Sequence, residues 1–214
     1  MITQSNYWKK DLLKSIDVLE KLKKQKRWRD ETHVKLEKLL LLNFYTIRKL
    51  LEIKKISDQI ENKSIPIIEF PVPGKTLITI FNYHKYEEYV AFDSPKKTQL
   101  SPKKMADIII HSLVLSPIFA ENSDSNLMHL KGIVFNSDFY PNKVFYITIE
   151  SIQSILHNFG TDDISELSWT RVHNEINGKR CDRRKYTNKK RCNYCEPIRR
   201  YQNSKTEMLK DAFI

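Results

Sequence analysis

The sequence predicts an α+β protein: a helical core with two β-hairpins, followed by a basic C-terminal segment. Three observations lead there. Between Trp8 and Ile53 apolar residues recur at helical spacing. Between Ile65 and Ile149 short β-branched and aromatic runs alternate with Pro, Gly, Asn and Ser clusters. After Gly178 aliphatic residues thin out and Lys and Arg take over. The chain has 214 residues, enough for one sizeable core with a small appendage. With 40% hydrophobic residues and only 4 Gly and 8 Pro, most of it is expected to fold.

The elements follow in order. Asn6 to Lys26 reads as an amphipathic helix, with Trp8, Leu12, Ile16 and Leu19 on one face and lysines on the other. A longer helix runs from about Glu31 to Ile56. Its apolar residues, including Leu39 to Leu42, Phe44, Ile47, Leu50 and Leu51, exceed one stripe, which predicts burial on several sides. Asn43, Thr46 and Arg48 interrupt it, and a partly buried Arg48 needs an acceptor. Ile65 to Val72 and Thr76 to Asn82 are strand-like and joined through Pro73-Gly74 as a first hairpin. Tyr83 to Phe92 is aromatic and partly strand-like, and Ser94 to Gln99 reads as a loop. Ser101-Pro102 has the form of an N-cap followed by proline at the first helical position. That helix should run to about Leu115 and stop before Pro117. Leu130 to Asn136 and Lys143 to Ile149 form the second hairpin, turning around Pro141-Asn142 after a polar loop at Ala120 to Asn126. Glu150 to Asn158 is a short helix ended by Gly160, and Thr161 to Asp163 would cap one more. A boundary near Gly178 divides a core domain, 1–178, from a basic segment, 179–214.

Charge distribution narrows the partners. From Lys179 to Arg200 there are ten Lys or Arg against two acids, a net +8 out of the chain's +11. A field so concentrated attracts phosphate backbones and releases their counterions. Arg183, Arg184, Lys185, Tyr186, Lys189, Lys190, Arg191, Arg199 and Arg200 are the candidate contacts, with Tyr194 and Tyr201 interleaved as stacking surfaces. A solubilising tail, an anionic membrane surface or an acidic protein partner are the alternatives. No apolar leader opens the chain and no run of about 18 apolar residues occurs, so a cytoplasmic protein is expected.

Two constellations carry candidate chemistry. Asp107 and His111 are four apart on a predicted helix and share a face, where a carboxylate would orient an imidazole for acid/base work. A surface pair or a core histidine explains the spacing equally. Cys192 and Cys195 form a C-x2-C, Cys181 precedes Cys192 by eleven residues, and His173 precedes Cys181 by eight. Three thiolates and one imidazole would close a tetrahedral zinc site that staples a segment too poor in aliphatics to fold alone. The other reading is three reduced thiols, with His173 on the preceding helix. No Gly-rich phosphate loop, nucleophile elbow or HExxH occurs. Ser112 directly follows His111, and neighbours on a helix diverge, which argues against a Ser-His nucleophile.

The stretches KMADIIIHSLVL (Lys104 to Leu115), FYTIRKLLE (Phe44 to Glu52) and GIVFNSDFYPNKVFYI (Gly132 to Ile147) resemble segments of a group of uncharacterised bacterial proteins. Their pattern is similar to that of HEPN (higher eukaryotes and prokaryotes nucleotide-binding) domains. The resemblance spans residues 7 to 160 loosely and leaves out the basic segment. It implies a metal-independent ribonuclease of the toxin–antitoxin and phage-defence kind, in which an Arg and a His four to six residues apart act together. Here Lys104, Met105 and Ala106 stand where that Arg would be, so Lys104 or Arg48 would supply the charge by converging on His111 in space. Arg27 and His33 meet the Arg-x5-His spacing, at the frequency chance predicts. The expected function is therefore an RNA-directed defence or toxin-like protein with His111 as acid/base, Asp107 orienting it and Arg48 or Lys104 on phosphate. The rival is a non-catalytic nucleic-acid-binding or adaptor protein.

Overall fold

A computed structural model describes residues 4–122 and 127–163, with the backbone of Val172–His173 and Arg180–Cys181. Residues 1–164 form one compact unit and residues 165–214 a second. The first unit is α+β. Helices α1 (Ser5–Lys23), α2 (Asp30–Glu52) and α3 (Asp58–Glu61) lead into strand β1 (Ile65–Pro71), a 3-10 helix (Tyr83–Glu88) and strand β2 (Lys96–Leu100). Then follow α4 (Pro102–Ile110), β3 (Ser112–Asn122), β4 (Leu127–Ser137), β5 (Lys143–Thr148) and α5 (Ile149–Thr161). The five strands make one antiparallel sheet in the order β2-β1-β5-β4-β3.

Alternation along the central strands sorts side chains to two faces. Ile133 and Phe135 of β4 and Phe145 and Ile147 of β5 join the main core with Leu12, Leu19, Leu36, Phe44, Ile47 and Phe159 from the helices. Val134 and Val144 point the other way, onto a second core of Val72, Ile78, Tyr86 and Val90 from the chain between β1 and β2. Each such side chain, fully buried, contributes about 1.5–3 kcal/mol.

Several expectations are corrected. The first hairpin does not form: 76–82 is not a strand, and β1 pairs instead with β2, from Ile65 opposite Leu100 to Glu69 opposite Lys96. Lys96 to Gln99 reads as a loop because β2 is an edge strand with most side chains in water. The helix starting at Pro102 ends at Ile110 rather than Leu115, and β3 carries Pro117 without a break. Proline is tolerated there because β3 is the other edge. Helix α2 buries one broad stripe only; Leu42 is 66% exposed, and Val34 and Tyr45 face water too. Gly160 lies inside α5, not beyond its end. Two expectations hold: Ser101 Oγ caps α4 by accepting from Lys104 N at 3.3 Å, and the second hairpin pairs Phe135 with Phe145.

In the second unit, Val172 lies opposite Cys181 and His173 opposite Arg180 in a two-stranded antiparallel ladder, so His173 belongs to a strand and not to a helix. Cys192, Cys195 and the basic residues from Arg183 to Arg200 lie outside the described residues, and with them the zinc and tail expectations.

Candidate functional site

The last turn of α2, the exposed edge of α4 and the β4–β5 turn meet around a cleft of about 320 Å³. Arg48, Lys104, Asp107, Ile108, His111, Phe139 and Tyr140 line it. Helix α4 buries Met105, Ala106, Ile108 and Ile109. Lys104, Asp107 and His111, spaced three and four residues apart, are left on its rim.

His111 sits at the C-cap of α4, where its N–H donates to Asp107 O at 3.2 Å. The chain then turns directly into β3. A bulge between Ser112 and Val114 absorbs the change of direction, and buried Asn136 locks it by accepting the Val114 N–H at 3.3 Å. The imidazole is therefore held at a helix-to-strand corner, exposed to solvent. Its ring meets the Phe139 ring edge to face, 5.5 Å between centroids.

Arg48 reaches Asp107 across the α2–α4 contact, with Nη1 to Oδ1 at 3.2 Å. Its Nε donates to Glu52 Oε1 at 2.9 Å. Lys49 donates to the other Glu52 oxygen at 2.8 Å. Those bonds, from Lys49 first and Arg48 second, hold the Glu52 carboxyl below the usual carboxylate range. Asp107 Oδ1 is buried yet accepts no well-aligned hydrogen bond, so its contact with Arg48 is ionic. The Lys104 ammonium stands 5.0 Å from the Tyr140 ring centroid, and the Lys143 ammonium is 5.7 Å from the same ring.

The structure thus brings Arg48, Asp107, His111 and Lys104 to one place. It alters one pairing: among the described residues no hydrogen bond joins the Asp107 carboxylate to the His111 ring, and the carboxylate faces Arg48 instead. Phe139, Tyr140 and Asn136 belong to the site and were not singled out by sequence reasoning. The signal for two of them was present in Asp138-Phe139-Tyr140-Pro141, a turn carrying two aromatics where polar residues are usual.

The Arg27 and His33 spacing has a different outcome. His33 packs in an aromatic cluster, 5.2 Å from Trp28 and 6.4 Å from Phe119 between centroids, while Arg27 is exposed. A smaller hollow of about 160 Å³ lies beside Ile60, Ile155 and Phe159; its lining contains no carboxylate, imidazole or thiol. No helix among the described residues is long and apolar enough to cross a membrane. Among those residues no group of three or more His, Cys, Asp or Glu could hold a metal ion.

The chain matches no known family model, no curated protein and no solved structure.

Proposed function

We propose that the protein binds RNA and cleaves it in the cleft around His111, as a HEPN-like ribonuclease of a defence or toxin-like kind working in the cytoplasm. One observation carries this reading: an exposed imidazole shares one cleft with two cations, Arg48 and Lys104. In the proposed step His111 takes the proton of a ribose 2′-hydroxyl, whose oxygen forms a bond to the adjacent phosphorus. The phosphorus–5′-oxygen bond breaks, and the leaving oxygen takes a proton back from His111. The products are a 2′,3′-cyclic phosphate and a 5′-hydroxyl. Lys104 and Arg48 offset the charge that builds on the phosphoryl oxygens. Asp107 is a positioning residue for Arg48.

Incubation of an end-labelled RNA with the full chain tests this. His111→Ala should slow cleavage by about 10²–10⁴-fold, the usual contribution of a general acid/base. A strand with 2′-deoxyribose at the cleavage position should survive. Equal cleavage by the His111→Ala protein would refute the assignment.

The non-catalytic reading has its own observation. Arg48 is already shared between Glu52 and Asp107, and no side chain among the described residues hydrogen-bonds the His111 ring. RNA bound but never cut, with Lys104→Ala weakening binding, would select it.

A further inference from the structure

We infer that Phe139 is a stacking platform for one unpaired nucleobase, so that the cleft takes single-stranded RNA in preference to duplex. This rests on the RNA reading above and names the substrate class of that site.

Phe139 is 63% exposed, although a phenylalanine ring gains about 1.5–3 kcal/mol when buried. The backbone presenting it is pinned. Tyr140 N donates to Ser137 O at 2.9 Å, closing a β-turn whose central residues are Asp138 and Phe139. Asn136 Nδ2 reaches Tyr140 O at 3.5 Å, Ile78 N donates to Pro141 O at 2.9 Å, and Val72 N donates to Asn142 O at 2.8 Å. The turn is thus bonded to β4 on one side and to the chain after β1 on the other. A ring carried on so fixed a backbone has less entropy to lose when it binds than one on a free loop, which suits a recognition surface.

The chemistry beside the ring identifies the occupant. The His111 ring packs against it in a T-shaped contact, and Arg48 and Lys104 line the same cleft. Tyr140, next in sequence, lies beneath Lys104 and Lys143. Three of the nearby acids are paired: Asp107 with Arg48, Glu52 with Arg48 and Lys49, and Glu69 with Lys143 at 2.9 Å. Asp138 of the turn is exposed. Of these cations Lys104 alone has no acid partner among the described residues, and a flat apolar face beside that free ammonium and the His111 ring suits a ligand with flat rings strung on a polyanion. A nucleobase stacked in a duplex cannot offer its face to Phe139, whereas an unpaired one can.

The test measures binding, so it does not depend on cleavage. The probe is a short 2′-O-methyl RNA carrying one 2-aminopurine, which cannot undergo 2′-hydroxyl attack and whose fluorescence falls on stacking. The same strand annealed to its complement is the control. Full-length protein, Phe139→Ala, Phe139→Trp and Lys104→Ala are compared at several salt concentrations. Phe139→Ala should weaken single-strand binding roughly tenfold and lose part of the quenching, while Phe139→Trp restores both. Duplex affinity should stay unchanged. The slope of log affinity against log salt should be the same for Phe139→Ala as for wild type, because no charge is removed. For Lys104→Ala the slope should fall by about 0.7, the contribution of one phosphate on a single strand. A Phe139→Ala protein with wild-type single-strand affinity and quenching would overturn the inference. A poly-glutamate peptide serves as the acidic-protein probe; if Phe139→Ala loses binding to it while RNA binding stays intact, the ring is a protein contact and the inference falls. If binding behaves as expected and no RNA is ever cut, the stacking subsite stands and only the cleavage reading falls.

Discussion

Arg48 shows what a single side chain can and cannot announce. Its place in the apolar run of α2 called for an acceptor, because a desolvated guanidinium without one is costly. The partner in space, Asp107, is fifty-nine residues away, and nothing in the spacing of either residue encodes that contact. Asn43 and Thr46, the other polar residues of that run, resolve differently. Thr46 Oγ1 donates to Leu42 O at 2.8 Å. Asn43 meets Ser15 of α1, oxygen to oxygen at 3.0 Å, inside the core. Because the Arg48–Asp107 pair is about one-third exposed, Asp107→Asn should cost less than about 1 kcal/mol in thermal unfolding. Its effect on cleavage should be larger, about tenfold, since Arg48 loses the charge that aims it. Unfolding curves and single-turnover rates measured on the same preparation would separate the two. An unchanged rate would make Asp107 an ordinary surface pair.

Among the elements, the contact between α1 and α5 depends on one missing side chain. A Cβ on Gly160 would stand 2.6 Å from Leu13 Cδ2 and 3.1 Å from Lys9 O. Leu13 can shift, whereas the backbone oxygen of Lys9 cannot do so without moving α1. Gly160→Ala should therefore destabilise the protein by about 1–3 kcal/mol despite alanine's better helix propensity. A gain in stability on chemical denaturation would show that the helices separate freely. From the sequence Gly160 looked like a helix terminator, because glycine's backbone freedom and its lack of bulk leave the same letter in the chain. Helices α1, α2 and α5 and the β4–β5 hairpin were legible, since their periodicity records burial on one side. Strand β2 was not, because an edge strand rich in Lys and Gln leaves no alternating pattern. The end of α4 was also missed. Ile110, Leu113 and Leu115 are apolar in either conformation, and what stops the helix is the bulge held by Asn136, twenty-two residues from Val114. That corner sets where His111 points. Arg48, Lys104, Asp107 and His111 were legible in the sequence, whereas Phe139, Tyr140, Asn136 and the geometry that gathers them were not.

At the level of the whole chain, two features would act on one polyanion. The cleft offers a few cations and a ring, and the segment after Gly178 carries +8 between Lys179 and Arg200, leaving +3 elsewhere. Among the described residues, every member of both buried cores lies before Ile164. A chain ending at residue 178 should therefore keep the melting behaviour of the full chain. RNA binding should change in a defined way. Each phosphate neutralised on a single strand contributes about 0.7 to the slope of log affinity against log salt. If several of the ten cations touch phosphates, the truncated chain should lose several units of slope, and most of its affinity at low salt. Stacking on Phe139 carries no charge, so the part of the affinity that survives high salt should be the same in both proteins. Affinities for one unpaired RNA across a salt series, with and without residues 179–214, measure both terms together. Identical slopes would mean that the basic segment does not contact the RNA backbone, and would turn attention to an acidic protein as its partner.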